Sequence, residues 1–353
     1  MKNILKNFLF LFIFTTTVFG KQIVTSRCVY GPNGVIITYD AKTDELLNGK
    51  CQVLETTQIG ITYVNIEGNF KDGLYNGVIY DYSPFGKVES VVEYKNGIKH
   101  GKSIDLEFDS NNNAYVVECN YNNGKKDGKV ITYYTVFGEM DIYSASNKLE
   151  SEGYKGIITG KFKEEYYKND ILEGNTKEYY KNGQVKKEAL FREGKKEGTV
   201  KEYYENGKIR SEENYKNGIP EGLAKSWYEN GQIQTEAVQK NGKFNGKLKS
   251  YYENGQIQMD GTFKDEIPEG LAKSWYENGQ IQTEKNFKNG QLEGLSKDWY
   301  ENGQIKQEIN YQNGIPEGLA KSWYENGKIK MEINFKNGQV IEKKEYDING
   351  NLK

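Results

Sequence analysis

Four tryptophans, Trp227, Trp275, Trp299 and Trp323, occupy one recurring position of the sequence, and Tyr179, Tyr203 and Tyr251 hold it in the other units. A row of flat rings makes a stacking platform for sugars, peptides or lipid headgroups. The same row also serves as ladder packing within a sheet, with Leu223, Leu271, Leu295 and Leu319 beside it. Lysines and carboxylates recur just as regularly: Lys225 with Glu236, Lys273 with Glu284, Lys297 with Glu308, and Lys321 with Glu332. One such pair in a cleft suggests acid–base chemistry. The same pair in every unit reads as structure.

Other reactive residues are few. The chain has one histidine, His100, which leaves no multi-histidine metal site and weakens any histidine-based catalysis. It stands where Glu221 precedes Gly222 in a later unit, and reads as drift of the repeat. Asp109-Ser-Asn-Asn-Asn113 has oxygen ligands at calcium-loop spacing, but Ala114 replaces the turn glycine and Asn120 the final glutamate. Gly101-Lys102-Ser103 resembles the end of a phosphate loop, but Asn96 stands at its first glycine. No metal, cofactor or catalytic cluster is therefore expected, and the chain reads as non-enzymatic. With 48 Lys+Arg against 50 Asp+Glu, a formal charge of −2 lacks the basic footprint of a nucleic-acid binder.

Residues 1–20 place Lys2 and Lys6 before an apolar run from Phe8 to Val18, with Val18 and Gly20 suited to a cleavage site before Lys21. This pattern is a secretory leader, too short for a membrane span. The expected product is exported, to the periplasm, the cell surface or the medium. Of the three cysteines, Cys28 and Cys51 share the N-terminal segment and are the natural disulfide pair in an oxidising compartment, which leaves Cys119 over.

The elements that position these residues follow from a repeat. Tyrosine returns at 180, 204, 228, 252, 276, 300 and 324, each followed by x-Asn-Gly, and glycine returns six residues before each. Ile219–Glu236 reappears unchanged as Ile267–Glu284. Fixed short periodicity means a repeat architecture. Each unit carries two Asn-Gly turn signals, Asn217-Gly218 and Asn230-Gly231, so each unit should be two antiparallel strands joined by two-residue turns. Pairing across Asn230-Gly231 then sets Tyr228 against Ile233, Trp227 against Gln234 and Lys225 against Glu236. The same rule pairs Lys177–Glu188, Lys201–Glu212 and Lys249–Asp260. Alternation puts Tyr228, Ser226, Ala224, Ile233 and Thr235 on one face, and Trp227, Lys225, Leu223, Gln234 and Glu236 on the other.

Neither face is fully apolar. The fold class expected is therefore all-β, an elongated single-layer antiparallel β-meander of tandem 24-residue hairpins. The expected organisation is a leader over 1–20, a capping segment over 21–66, degenerate hairpins over 67–160, regular repeats over 161–341 and a polar tail over 342–353.

The unit YENGQIQTEKNFKNGQLEGLSKDW and its neighbours resemble the MORN-variant repeat, strongly over 161–341 and more weakly over 67–160. Bacterial proteins of that family are often labelled antitoxin-like, and related units are credited with protein or membrane binding. The resemblance implies a scaffold for an unknown protein partner. The aromatic row suggests the alternative, an envelope module that holds glycan or membrane. Open sheet ends also make end-to-end self-association conceivable.

Overall fold

The computed structural model describes residues 22–30, 36–58, 62–83, 88–111, 113–135 and 158–353. The leader at 1–20 and the side chain of Cys28 lie outside what is described. Every regular element among the described residues is a β-strand. The chain divides into two compact units, Met1–Val185 with Phe191–Gly194, and Lys186–Leu190 with Lys195–Lys353.

The second unit is the regular array. Strands Lys195–Tyr203, Ile209–Lys216, Gly222–Trp227 and Ile233–Lys240 follow one another antiparallel, and the order repeats to Gln339–Glu345. The lysine–carboxylate register appears as expected: Lys201 faces Glu212, Lys225 Glu236, Lys249 Asp260, Lys273 Glu284, Lys297 Glu308 and Lys321 Glu332. Their N···O distances run from 2.7 Å at Lys273–Glu284 to 3.6 Å at Lys249–Asp260. Exposed pairs of this kind contribute little each, but a one-residue slip would break all of them together. Lys273→Glu should therefore cost up to about 1 kcal/mol by setting like charges opposite. Adding Glu284→Lys should restore most of that loss in urea melts. A double-mutant cycle with no coupling would contradict the pairing.

The two Asn-Gly signals give different turns. At Asn217-Gly218 both residues have positive φ, 51° and 81°, as a two-residue type I′ turn requires. At Asn230-Gly231 only the glycine does, at 94°. There the Gly231 amide donates to the Tyr228 carbonyl at 2.9 Å, and the Tyr228 amide donates to Gln232 at 2.9 Å. The Asn230 side chain explains the difference. Its Oδ1 accepts from the Gln232 amide at 2.8 Å and its Nδ2 donates to the Glu253 carbonyl of the next unit at 2.8 Å. This longer loop adds a bulge, so Trp227 faces Ile233 and not Gln234. The Ser226 hydroxyl donates to Gln234 Oε1 at 3.3 Å. Ile233 and Gln234 thus exchange the faces that strict alternation assigned to them.

The recurring tyrosine clamps one unit to the next. Tyr228 donates its hydroxyl to the Tyr251 carbonyl at 2.8 Å, Tyr252 to Trp275 at 2.8 Å, Tyr276 to Trp299 at 2.7 Å and Tyr300 to Trp323 at 2.8 Å. The other turn edge is tied by carboxylates. Glu221 accepts from the Asn241 amide at 2.9 Å and Glu269 from Asn289 at 2.7 Å. The recurring glycine faces an aromatic ring across the strand pair, as Gly270 faces Phe287 and Gly318 faces Phe335. The residues expected to be a polar tail continue the pattern. Tyr324 donates to the Tyr346 carbonyl at 2.9 Å, and Tyr346 to Glu332 at 2.9 Å.

The first unit differs in having a core. Leu47, Cys51, Val53, Phe70, Tyr75 and Ile79 are buried together, with Ile66 and Tyr94 packed against them. Gln22–Tyr30 pairs parallel with Gly49–Thr56 and antiparallel with Ile36–Asp40. The Thr38 amide donates to Gly73 at 2.8 Å, and the Gly73 amide to Leu47 at 2.8 Å, which ties the N-terminal ribbon to the following hairpin. This register corrects the expected disulfide. Cys51 lies beside Gln22 and Cys28 beside Thr38, six strand positions apart or roughly 20 Å, far beyond disulfide reach. Cys51 Sγ points instead to the Asn48 carbonyl at 3.7 Å, and burial, helped by Asp40, pushes its thiol pKa up.

Candidate functional site

The charge ladder and the aromatic row share a face in the second unit. Tyr251 donates to Glu236 at 3.3 Å, and Lys225 holds the same carboxylate at 2.8 Å. These two hydrogen-bonded contacts hold Glu236 below the usual carboxylate range although burial opposes the charge, the Lys225 bond being the larger effect. Trp227, Trp275, Trp299, Trp323, Tyr203 and Tyr251 are all half-buried. The backbone carbonyls of the four tryptophans serve the clamp, with Tyr204 donating to Trp227 at 2.6 Å. The clamp therefore fixes the height of the row along the strands.

The leucines beside the row are open to solvent. Leu223, Leu271, Leu295 and Leu319 are 44%, 50%, 47% and 54% exposed, so they stand in solvent and do not cover the row. Each sits two residues before a ladder lysine, which strand alternation places on the lysine face. The face thus carries a leucine stripe, then the Lys–Glu ladder, then the aromatic row opposite Ile233 and its equivalents. Apolar rows flanked by charge are the composition of a binding surface, not of a catalytic cleft.

The first unit holds its own version of the ladder around Glu164. Lys161 and Lys129 reach Glu164 Oε1 at 2.6 and 3.0 Å, and the Tyr179 hydroxyl donates to Oε2 at 3.0 Å. Burial alone would raise this carboxyl, but the hydrogen bonds from Lys161, Lys129 and Tyr179 outweigh it and lower the pKa to about 2. A depressed folded-state pKa stabilises at pH above the ordinary carboxylate range, and the benefit is lost as pH falls towards 2. The wild type should therefore lose more stability than Glu164→Gln between about pH 5 and pH 2. Thermal melts across that window read the difference, and parallel curves would rule the cluster out.

Within the Asp109 loop the carboxylate is engaged by its own neighbours. Asp109 Oδ1 accepts from the Asn111 and Asn113 amides, both at 2.9 Å, and Oδ2 from Asn113 Nδ2 at 2.9 Å. Asp347 closes its own loop in the same manner. Cys119 is buried, with its thiol 3.6 Å from the Ser103 hydroxyl.

Sequence reading passed over an aromatic row that was visible at the same period: Tyr215, Phe263, Phe287, Tyr311 and Phe335. Phe263, Phe287, Tyr311 and Phe335 each lie across from a repeat glycine. It also passed over the variation at the position after each bulge isoleucine, which is Arg210, then Gln234, Gln258 and Gln282, and then Lys306 and Lys330.

Repeating hairpins, clamped to their neighbours and displaying the same face in register, define a tandem β-hairpin repeat scaffold. Segments 172–193, 196–217, 220–241, 244–265, 268–289, 292–313 and 316–337 each match the MORN repeat variant, so this stretch is a tandem array of seven such repeats. Repeats of this family are generally protein- or membrane-binding modules and form non-catalytic scaffolds. Comparison with curated proteins returns no match.

Proposed function

We propose that the chain is an exported, non-enzymatic scaffold that binds a partner protein through the leucine-striped face of residues 195–353. The observation that carries this reading is the exposure of Leu223, Leu271, Leu295 and Leu319 beside a fixed charge ladder. The apolar stripe supplies contact area, and the flanking Lys–Glu pairs set the partner's register. An antitoxin-like role is one form of this activity, in which the partner is held inactive. The leader at 1–20 supports export, and the mature chain recovered from cells should begin at Lys21.

The test is affinity capture by residues 21–353 from the envelope fraction of the protein's own host. One protein should be recovered in near-stoichiometric amount, and it should be lost when Leu271, Leu295 and Leu319 become Ser. Capture that survives those changes would sink the reading. The half-buried tryptophan row supports a second reading, attachment to glycan or membrane. In that case wall polysaccharide or lipid is recovered, and Trp275→Ala with Trp299→Ala and Trp323→Ala removes it.

A further inference from the structure

Asn-Gly recurs at both ends of the hairpins in residues 195–353, and the two sets of asparagines are held differently. In the two-residue turns, Asn217, Asn241, Asn289, Asn313 and Asn337 have φ between 49° and 52° and stand in solvent. Each is fixed through its backbone amide, which donates to the carboxylate of Glu197, Glu221, Glu269, Glu293 or Glu317 at 2.7–2.9 Å. Among the described residues, none hydrogen-bonds the side-chain amide of these five.

In the bulged loops the side chain of the same dipeptide is pinned twice. Oδ1 of Asn230, Asn254, Asn278, Asn302 and Asn326 accepts from the amide two residues on at 2.8–3.0 Å. Nδ2 of each donates to a backbone carbonyl of the next loop at 2.8–3.1 Å. The glycine nitrogen is bonded in both sets, Gly242 to the Pro220 carbonyl and Gly231 to the Tyr228 carbonyl, each at 2.9 Å. The side chain alone distinguishes them.

We propose that the five turn asparagines are sites of spontaneous deamidation and that the five loop asparagines are protected. At Asn241, solvent base takes the proton of the Gly242 amide, and that nitrogen attacks Asn241 Cγ. The Cγ–Nδ2 bond breaks, ammonia leaves and a cyclic succinimide remains. Water then opens either ring carbonyl, giving aspartate or isoaspartate, so one water is consumed for each ammonia released and nothing is oxidised. Glycine has no side chain to shield the attacking nitrogen, and the Asn241 side chain can reach it without first giving up a bond. At Asn230 both side-chain bonds must break before the ring can close, which slows the step by about tenfold or more.

Either product sets a carboxylate beside the glutamate that holds the turn, as Glu221 holds Asn241. Isoaspartate also lengthens the backbone within a two-residue turn, whose register depends on its length. The array already carries an acid at one such turn. Asp265 has φ 52°, and there Asn245 replaces the glutamate and donates to Asp265 at 2.9 Å. The modification is independent of what the leucine-striped face binds.

The experiment ages the full mature chain in mildly alkaline buffer, folded and in urea, and follows each asparagine by peptide mass spectrometry. Digestion in heavy-oxygen water marks any conversion that arises during handling. In the folded chain the turn asparagines should convert about tenfold or more faster than the loop asparagines. In urea the two sets should converge, because the dipeptide is the same. Equal rates in the folded chain, faster conversion in the loops, or a gap that persists in urea would overturn the proposal.

Discussion

Gly73→Ala should lower the stability of the first unit by roughly 2–5 kcal/mol. Gly73 has φ +72°, where a side chain costs about 1–2 kcal/mol. The added Cβ would also sit 2.8 Å from the Thr38 carbonyl oxygen and 2.8 Å from Leu46 Cδ2. The oxygen belongs to backbone that is itself bonded, because the Leu47 amide donates to it at 3.0 Å. Relief must therefore come from moving the ribbon, an overpacking cost of about 1–3 kcal/mol more. Gly49→Ala is the control, since Gly49 has φ +80° with no atom within 4 Å of the new Cβ. Urea unfolding should show Gly73→Ala losing markedly more than Gly49→Ala, and equal losses would mean that the ribbon does not pack there.

Ile79→Ala should cost about 2–5 kcal/mol, the range for emptying a tight core site. Ile79 is 1% exposed and fills the space that Gly68 leaves open, where an added Cβ would lie 2.5 Å from Ile79 Cδ1. Leu47, Cys51, Val53, Phe70 and Tyr75 surround it and are held by hydrogen-bonded strands, so the cavity cannot easily collapse. Leu319→Ala removes the same kind of group from a side chain that is 54% exposed, and should cost no more than about 0.5 kcal/mol. Similar losses at the two positions would show that the first unit has no privileged core.

Those two predictions mark what was legible in the sequence and what was not. Period, strand direction and the lysine–carboxylate register follow from short-range signals, because a hairpin partner lies within a dozen residues and the pairing can be checked arithmetically. The bulge escaped because Asn-Gly supports two turn types. The choice rests on whether the Asn230 side chain is drawn away by Gln232 and the next unit, a contact no single hairpin contains. The core escaped for the same reason at longer range. Thr38 and Leu47 come from a segment that carries no repeat and Gly73 and Ile79 from a degenerate one, and only the folded ribbon shows that they meet. Strand alternation puts the aromatic row beside the ladder, where Tyr251 meets Glu236, and the degree to which the leucines on that face stand in solvent is set by the folded array.

The tyrosine clamp has a consequence for how such a chain changes over generations. Each hydroxyl binds a backbone carbonyl of the following unit, and a carbonyl is present whatever residue supplies it. Excising one 24-residue unit therefore lets Tyr228 close on the unit that follows, with the same bond at the same place. The duplicated stretch Ile219–Glu236 and Ile267–Glu284 gives the coding sequence a template for misaligned recombination. Array length can thus drift by whole units while every surviving clamp finds an acceptor, so the reach of the displayed face is free to vary faster than its chemistry.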